Sequence, residues 1–157
     1  MKVKDFGNTE GLIVDLVLPI ADELGYDLWD VRYEKEGAAW YLRIFIDKED
    51  GITIDDAVRM TEPVNELLDE KDPIKESYTL EVGSPGLERK LTRDFHFEAC
   101  LGMDVTISKI HAAKGEEKEV TGKLESYNPE MQTIVVDGQE YPLEKLSYVK
   151  LYEEIEF

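Results

Sequence analysis

The chain has 157 residues, with 18 Lys plus Arg against 36 Asp plus Glu and a formal net charge of −18. That length holds one domain or two small ones, and 42% hydrophobic residues with 10% aromatics are enough for a core rather than a disordered chain. The charge excludes a bulk electrostatic grip on nucleic acid or on an anionic membrane, and it favours a basic partner.

Residues 1–100 carry 24 acids and 12 bases and residues 101–157 carry 12 and 6, so neither part is a basic arm. A single cysteine, Cys100, excludes an intrachain disulfide and a cysteine-rich zinc site, and it fits a reducing compartment. The longest apolar stretch, Gly11 to Ala21, is broken by Asp15 and Pro19 and is too short for a membrane span of ~20 residues. It lacks the cleavage pattern of a signal peptide. The expectation is a soluble cytoplasmic protein, with high charge favouring a monomer.

In chain order, Leu12, Leu16, Ile20 and Leu24, flanked by Ile13 and Val17, predict a helix over about 9–24. Asn8 or Thr9 is the expected cap, Gly25 the stop, and Pro19 a kink. Two strands follow, around Leu28–Glu34 and Trp40–Asp47, joined by a turn at Glu36–Ala38. In the second strand Trp40, Leu42, Ile44 and Ile46 share one face, and Tyr41, Arg43, Phe45 and Asp47 the other. Thr53 with Asp56 reads as a capping box opening a helix from Ile54 to about Glu70. Its predicted apolar face is Ile54, Ala57, Val58, Thr61, Val64, Leu67 and Leu68, with a kink or break near Glu62 caused by Pro63. Asp72-Pro73 ends it, and Tyr78–Val82 is a third strand.

Gly83-Ser84-Pro85-Gly86 is a loop signal, and Asp94–Leu101 a short helix or turn. Beyond Gly102 come five short strands: 103–108, 120–125, 133–136, 140–143 and 146–151. Asp137-Gly138 is a tight hairpin turn. Five short strands must bury one apolar face and cover their edges, which predicts a small closed barrel.

Little of this points to chemistry. His96 and Cys100 have a spacing that would suit a thiolate pair, but a short turn with one buried face explains the same residues. His111 has no apparent partner. Asp47 to Gly51 fails as a calcium loop, because Ile46 stands where the first ligand belongs. The loop at Gly83–Gly86 lacks the Gly-Lys-Ser/Thr ending of a phosphate cradle. Arg89, Lys90 and Arg93 are a local basic patch, readable as ion pairs with Glu81, Glu88 or Asp94, or as a contact to RNA phosphate or to acids of a partner.

The run Tyr78-Thr79-Leu80-Glu81-Val82-Gly83-Ser84-Pro85-Gly86-Leu87-Glu88-Arg89-Lys90-Leu91 strongly resembles the signature of the bacterial ribosome maturation factor RimP family. Leu24-Gly25-Tyr26 with Pro19, the strand Leu42–Asp47, and Gly51-Ile52 leading into Asp55-Asp56 agree with it. The sequence departs from the family's habit at Ala57 (frequently cysteine), Gly83 (usually serine), Glu88 (usually aspartate) and Lys90 (commonly proline). The last of these adds a cation.

The resemblance implies a KH-like N-terminal α/β domain (1–93, with an interdomain loop at 83–93) and a C-terminal SH3/Sm-like β-barrel domain (94–157). It implies a non-enzymatic factor for maturation of the small ribosomal subunit, binding the free subunit and a basic small-subunit ribosomal protein. Local rRNA contact is part of that expectation. No metal or cofactor is expected. The candidate binding ridge is Ser84, Pro85, Gly86, Leu87, Arg89 and Arg93. Glu125, Asp137 and Glu140 are candidate contacts for a basic partner. The competing readings are a general RNA-binding adaptor, with Trp29, Trp40 or Tyr41 stacking bases, and a hydrolase or transferase with paired carboxylates, for which the spacing offers no sign.

Overall fold

The structure, a computed structural model, describes residues 1–86 and 89–152. It divides into two compact units, Phe6–Gly86 and a second made of Met1–Asp5 with Leu87–Phe157. The whole is mixed α and β.

The first unit runs α1 (Asn8–Leu24), β1 (Asp27–Glu36), β2 (Ala39–Asp47), α2 (Ile54–Lys71) and β3 (Tyr78–Gly83). Its sheet has the order β1-β2-β3, with β1 antiparallel and β3 parallel to β2. Period-two patterning places Leu42, Ile44 and Ile46 in the core, as the sequence predicts, with Ile13, Val17, Ala21, Met60, Val64 and Leu68 from the helices. A bulge between Leu28 and Asp30 leaves Asp30 only 1% exposed, where its carboxylate accepts the Val31 N–H at 2.9 Å and meets Arg32 Nε at 3.3 Å.

Three local expectations are corrected. The cap of α1 is Gly7, not Asn8 or Thr9. Glu10 makes the start by accepting the Gly7 N–H at 3.1 Å through one carboxylate oxygen and the Tyr33 N–H of β1 at 3.0 Å through the other. Both helices continue past their prolines, so α2 has no break near Glu62. The carbonyls that lose a donor belong to Asp15 and Arg59, both exposed residues on the solvent side of their helices, where losing an internal donor costs least. The buried stripe of α2 is Asp56, Met60, Val64 and Leu68, whereas Ile54 and Val58 are 85% and 55% exposed.

The second unit holds α3 (Asp94–Ala99), β4 (Asp104–Lys109), β5 (Glu119–Asn128), β6 (Thr133–Val136), β7 (Gln139–Pro142), a 3-10 turn at Leu143–Lys145, and β8 (Leu146–Leu151). The five strands are those expected, in the order β7-β6-β5-β4-β8. The sheet is not a closed barrel. The outer edge of β8 is taken by residues 89–91 instead of β7: Leu91 N–H donates to Val149 O and Leu151 N–H to Arg89 O, each at 2.9 Å or less. The amino-terminal segment is also tied here. Lys4 N–H donates to Thr92 O at 2.8 Å, and the Met1 ammonium donates to Leu143 O at 2.8 Å and to Leu146 O. These bonds group residues 1–5 and 89–93 with the second unit, whereas the sequence reading assigns them to the first.

The Asp137-Gly138 turn has φ of 47° and 78°, the left-handed pair that a two-residue hairpin requires. Asp137 Oδ1 reaches back to accept the Lys123 N–H at 2.9 Å. Its carboxylate fills the space over Gly122, where an added Cβ would lie 2.4 Å from Asp137 Oδ2. Gly122→Ala must therefore expel that carboxylate from its bond to the Lys123 N–H, and a loss of about 1 kcal/mol is expected in urea unfolding. Asp137→Ala carries its own cost at this left-handed position, but in its presence Gly122→Ala should cost less than it does in the wild type, because the two changes act on the same crowded spot.

Candidate functional site

The predicted ridge begins at the end of the first unit. Gly86 adopts φ of +82°, and its N–H donates to Ser84 Oγ at 3.3 Å. Ser84 and Gly86 are exposed and Pro85 is half-buried, so a short turn presents a hydroxyl and a rigid ring. Leu87 lies outside the described residues.

From residue 89 the chain is extended and paired with β8, so its side chains alternate. Leu91 and Arg93 are 0% and 4% exposed. Arg89 lies on the same side, half-buried with its Nε covered. Lys90, between them, is exposed. Arg93 thus cannot serve as the surface contact the sequence reading assigns to it. Its Nη1 donates to Lys4 O at 3.4 Å and helps fasten the amino-terminal segment. The exposed cation of this run is Lys90, which sequence reasoning noted but left out of the ridge.

His96 and Cys100 are both buried. His96 Nδ1 accepts two backbone donors, Thr92 N–H at 3.0 Å and Arg93 N–H at 3.1 Å. A ring nitrogen that accepts two amides is a structural cap for the start of α3. Burial pushes the Cys100 thiol up, against the opposing pull of Arg89, and a thiol held protonated is a poor nucleophile. Among the described residues no three His, Cys, Asp or Glu side chains gather as a metal site.

The feature that sequence reasoning missed is the outer face of the first unit's sheet. Arg43 Nη1 lies 2.6 Å from Glu34 and 2.7 Å from Glu36, and its Nε lies 2.9 Å from Glu81. Its guanidinium also covers Tyr41 at 4.7 Å, and that of Arg32 covers Phe45 at 4.6 Å. Hydrogen bonds donated to Glu36, Glu81 and Glu34 push the Arg43 pKa above its already high ordinary value. An open groove of about 400 Å³ lies along Arg32, Arg43, Phe45, Glu81 and Gly83. The signal was the polar half of the β2 alternation, but the clustering depends on the register that sets Arg43 opposite both Arg32 and Glu81.

Of the aromatic residues considered for base stacking, Trp40 is half-buried and lies flat on Tyr33, with centroids 4.5 Å apart and planes 13° apart. Tyr33 is itself held: burial and its hydrogen bond to Glu76 push its pKa to about 12. Glu125, Asp137 and Glu140 are exposed, with Asp137 already engaged in its own turn.

These arrangements define a protein of two small units whose distinctive groups lie on loops, strand edges and a sheet face. Residues 16–88 match the family model described as the RimP N-terminal domain. This match identifies residues 16–88 as a RimP N-terminal domain and supports the RimP family of ribosome maturation factors, assembly factors not known as enzymes. Among the described residues no helix is long and apolar enough to cross a membrane.

Proposed function

We propose that the protein assists maturation of the small ribosomal subunit in the cytoplasm, as a monomer that binds the free subunit and one of its basic proteins. The observation that carries this reading is the RimP N-terminal domain match over residues 16–88. The net charge of −18 supports a cationic partner, because complementary charge steers encounter and suppresses wrong partners. In this reading the first unit is KH-like and the second SH3/Sm-like. Their helix-hairpin-helix-strand order and five short antiparallel strands support those assignments. In this reading Ser84, Pro85, Gly86, Leu87 and Arg89 are the candidate contact residues, and the buried Arg93 is not. Glu125, Asp137 and Glu140 add acidic contacts.

The test is recovery of the protein with ribosomal particles from a bacterial lysate resolved into free small subunits, free large subunits and joined ribosomes. Selective recovery with free small subunits is expected. Absence from every particle, at both low and moderate salt, would refute the reading and leave a general RNA-binding adaptor ahead, for which the cation-covered aromatics Phe45 and Tyr41 speak. The association rate with the free subunit should also fall as salt rises to physiological strength, since steering between exposed charges is screened over ~8 Å there. A rate indifferent to salt would remove charge steering from the mechanism.

A further inference from the structure

An outer strand of a sheet carries a row of unpaired N–H and C=O groups, a template for another chain unless it is blunted or covered. Among the described residues the two sheets have four such edges, on β1, β3, β7 and β8. On β1 a bulge lies between Leu28 and Asp30, and the Asp30 and Glu10 carboxylates accept the Val31 and Tyr33 N–H groups. β8 is paired with residues 89–91. β7 has only four residues and ends in Pro142. β3 has none of these devices. It runs six residues, Tyr78–Gly83, without a bulge, a lysine or a proline. Among the described residues its backbone bonds to β2 alone. Its apolar side is also unfinished. Tyr78, Leu80 and Val82 pack on the core yet stay half-buried, whereas Leu42 and Ile44, opposite the last two on β2, are fully buried. The surroundings are acidic: residues 66–83 carry six acids and two lysines. Glu81 shares the one guanidinium of Arg43 with Glu34 and Glu36. Burial, then Asp69 and Asp72, raises the Tyr78 pKa, which sets two more carboxylates near the start of the strand.

We propose that β3 takes an extended, cationic segment of a partner protein as a fourth strand of the first unit's sheet. A row of alternating peptide donors and acceptors is matched by another peptide backbone, and RNA offers no such ladder. A second copy of this chain would bring its own charge of −18 to the edge, so electrostatics selects a basic strand over self-pairing. Side chains on one face of the incoming strand would lie beside Thr79 and Glu81, where cations meet carboxylates. Those on the other face would lie beside Leu80 and Val82, where apolar groups complete the cover. The segment that fits therefore alternates basic and apolar residues. Pro85 and the left-handed Gly86, with φ of +82°, end the ladder on one side. The biological setting rests on the ribosomal reading above, in which the partner is a basic protein, but the pairing itself is tested without it.

The experiment is fluorescence anisotropy of a labelled peptide of alternating Lys and Val with the full chain at low salt, joined to hydrogen exchange of the β3 amides. Binding is expected, with slowed exchange at alternate residues of 78–83, because every second residue of a strand turns its N–H away from its parallel neighbour. The same peptide methylated at its central backbone nitrogens keeps its charge but cannot donate to a ladder, and it should bind roughly tenfold more weakly or worse. Thr79→Lys puts on the edge the residue that commonly blunts one, and it should weaken binding severalfold. Ser126→Lys, which adds the same charge at an exposed position of β5, should weaken it far less. Circular dichroism of both variants checks that they fold. No binding by the wild type, equal binding by the methylated peptide or by one alternating Glu and Val, unchanged exchange in β3, or an equal loss in Ser126→Lys would each overturn the proposal. If the peptide fails to bind while free small subunits still retain the protein, this inference falls and the ribosomal reading stands. If β3 is protected by the peptide and no ribosomal particle retains the protein, the inference stands and the ribosomal reading falls.

Discussion

An Asp56→Ala variant is expected to lose the start of α2 and much of the stability of the first unit. Asp56 is only 5% exposed, and its carboxylate is fully engaged. Oδ1 accepts the Tyr26 hydroxyl at 2.8 Å, and Oδ2 accepts the Thr53 N–H at 2.8 Å and the Thr53 hydroxyl at 2.9 Å. Lys48 Nζ lies 2.9 Å from the same oxygen. Thr53 Oγ1 accepts the Asp56 N–H in return at 3.1 Å, completing the capping box. Thr53→Ala removes the cap alone and should cost about 1 kcal/mol. Asp56→Ala should cost more, because it also leaves the Tyr26 hydroxyl buried without this acceptor and Lys48 without its counter-charge.

The same carboxylate makes the first unit acid-sensitive. The Thr53 backbone donor, then Lys48 and Tyr26, hold the Asp56 pKa well below the ordinary carboxylate range. A depressed carboxyl stabilises fully above its unfolded pKa of ~3.9, and that contribution is lost as pH falls toward the folded value. The gap in urea midpoint between the wild type and Asp56→Asn should therefore narrow steadily below about pH 4. A gap that stays constant through the acid range would show that the charge of Asp56 is not what stabilises the helix start. Toward alkaline pH the signs reverse. The Tyr26 pKa is raised by burial and by Asp56, and the Lys48 pKa is raised by Asp56. Their contributions are present below about pH 10 and lost above it.

Phe97→Ala should be the most damaging single change in the second unit, at about 3–5 kcal/mol. Phe97 is fully buried and lies on Tyr127 with centroids 4.6 Å apart and planes 14° apart. Offset-stacked pairs contribute about 1 kcal/mol beyond the area they bury. Tyr127 is itself anchored by its hydroxyl to Asp94 at the first residue of α3. Burial, then that hydrogen bond, raises the Tyr127 pKa far above its usual value. The six-residue helix α3 is too short to persist alone, so packing must hold it in place. Both tryptophans, Trp29 and Trp40, are in the first unit, so unfolding of the second should be followed through the amide signals of β4 and β5. A loss under about 1 kcal/mol there would mean that the site collapses around the missing ring.

What was legible in the sequence was what the chain decides locally. Thr53 and Asp56 lie three residues apart, and Asp137-Gly138 forces its turn by backbone preference alone. The alternation of β2 appears because one face of its sheet is packed and the other is not. The phase of α2 was not legible. Residues 54–68 offer two apolar stripes, one through Ile54 and Val58 and one through Met60 and Val64. The choice follows from where the Asp56 carboxylate goes, and that depends on Tyr26, 30 positions away. Arg93 was misjudged for a related reason. A loop has no inside and outside, but residues 89–93 acquire them by pairing with Val149 and Leu151. The same pairing occupies the edge that a closed barrel would need, so the strands were readable and their closure was not.

The anchoring of Met1 sets an order of events during synthesis. The groups that receive its ammonium lie 142 and 145 positions downstream. Residues 1–5 must therefore wait until Leu143 and Leu146 have been made before they find their place. The first unit has no such dependence and possesses all its own residues once Gly86 has emerged. It can complete its core while the second unit is still being made. Pulsed hydrogen exchange on stalled nascent chains should show Leu42 and Ile44 protected well before Lys4.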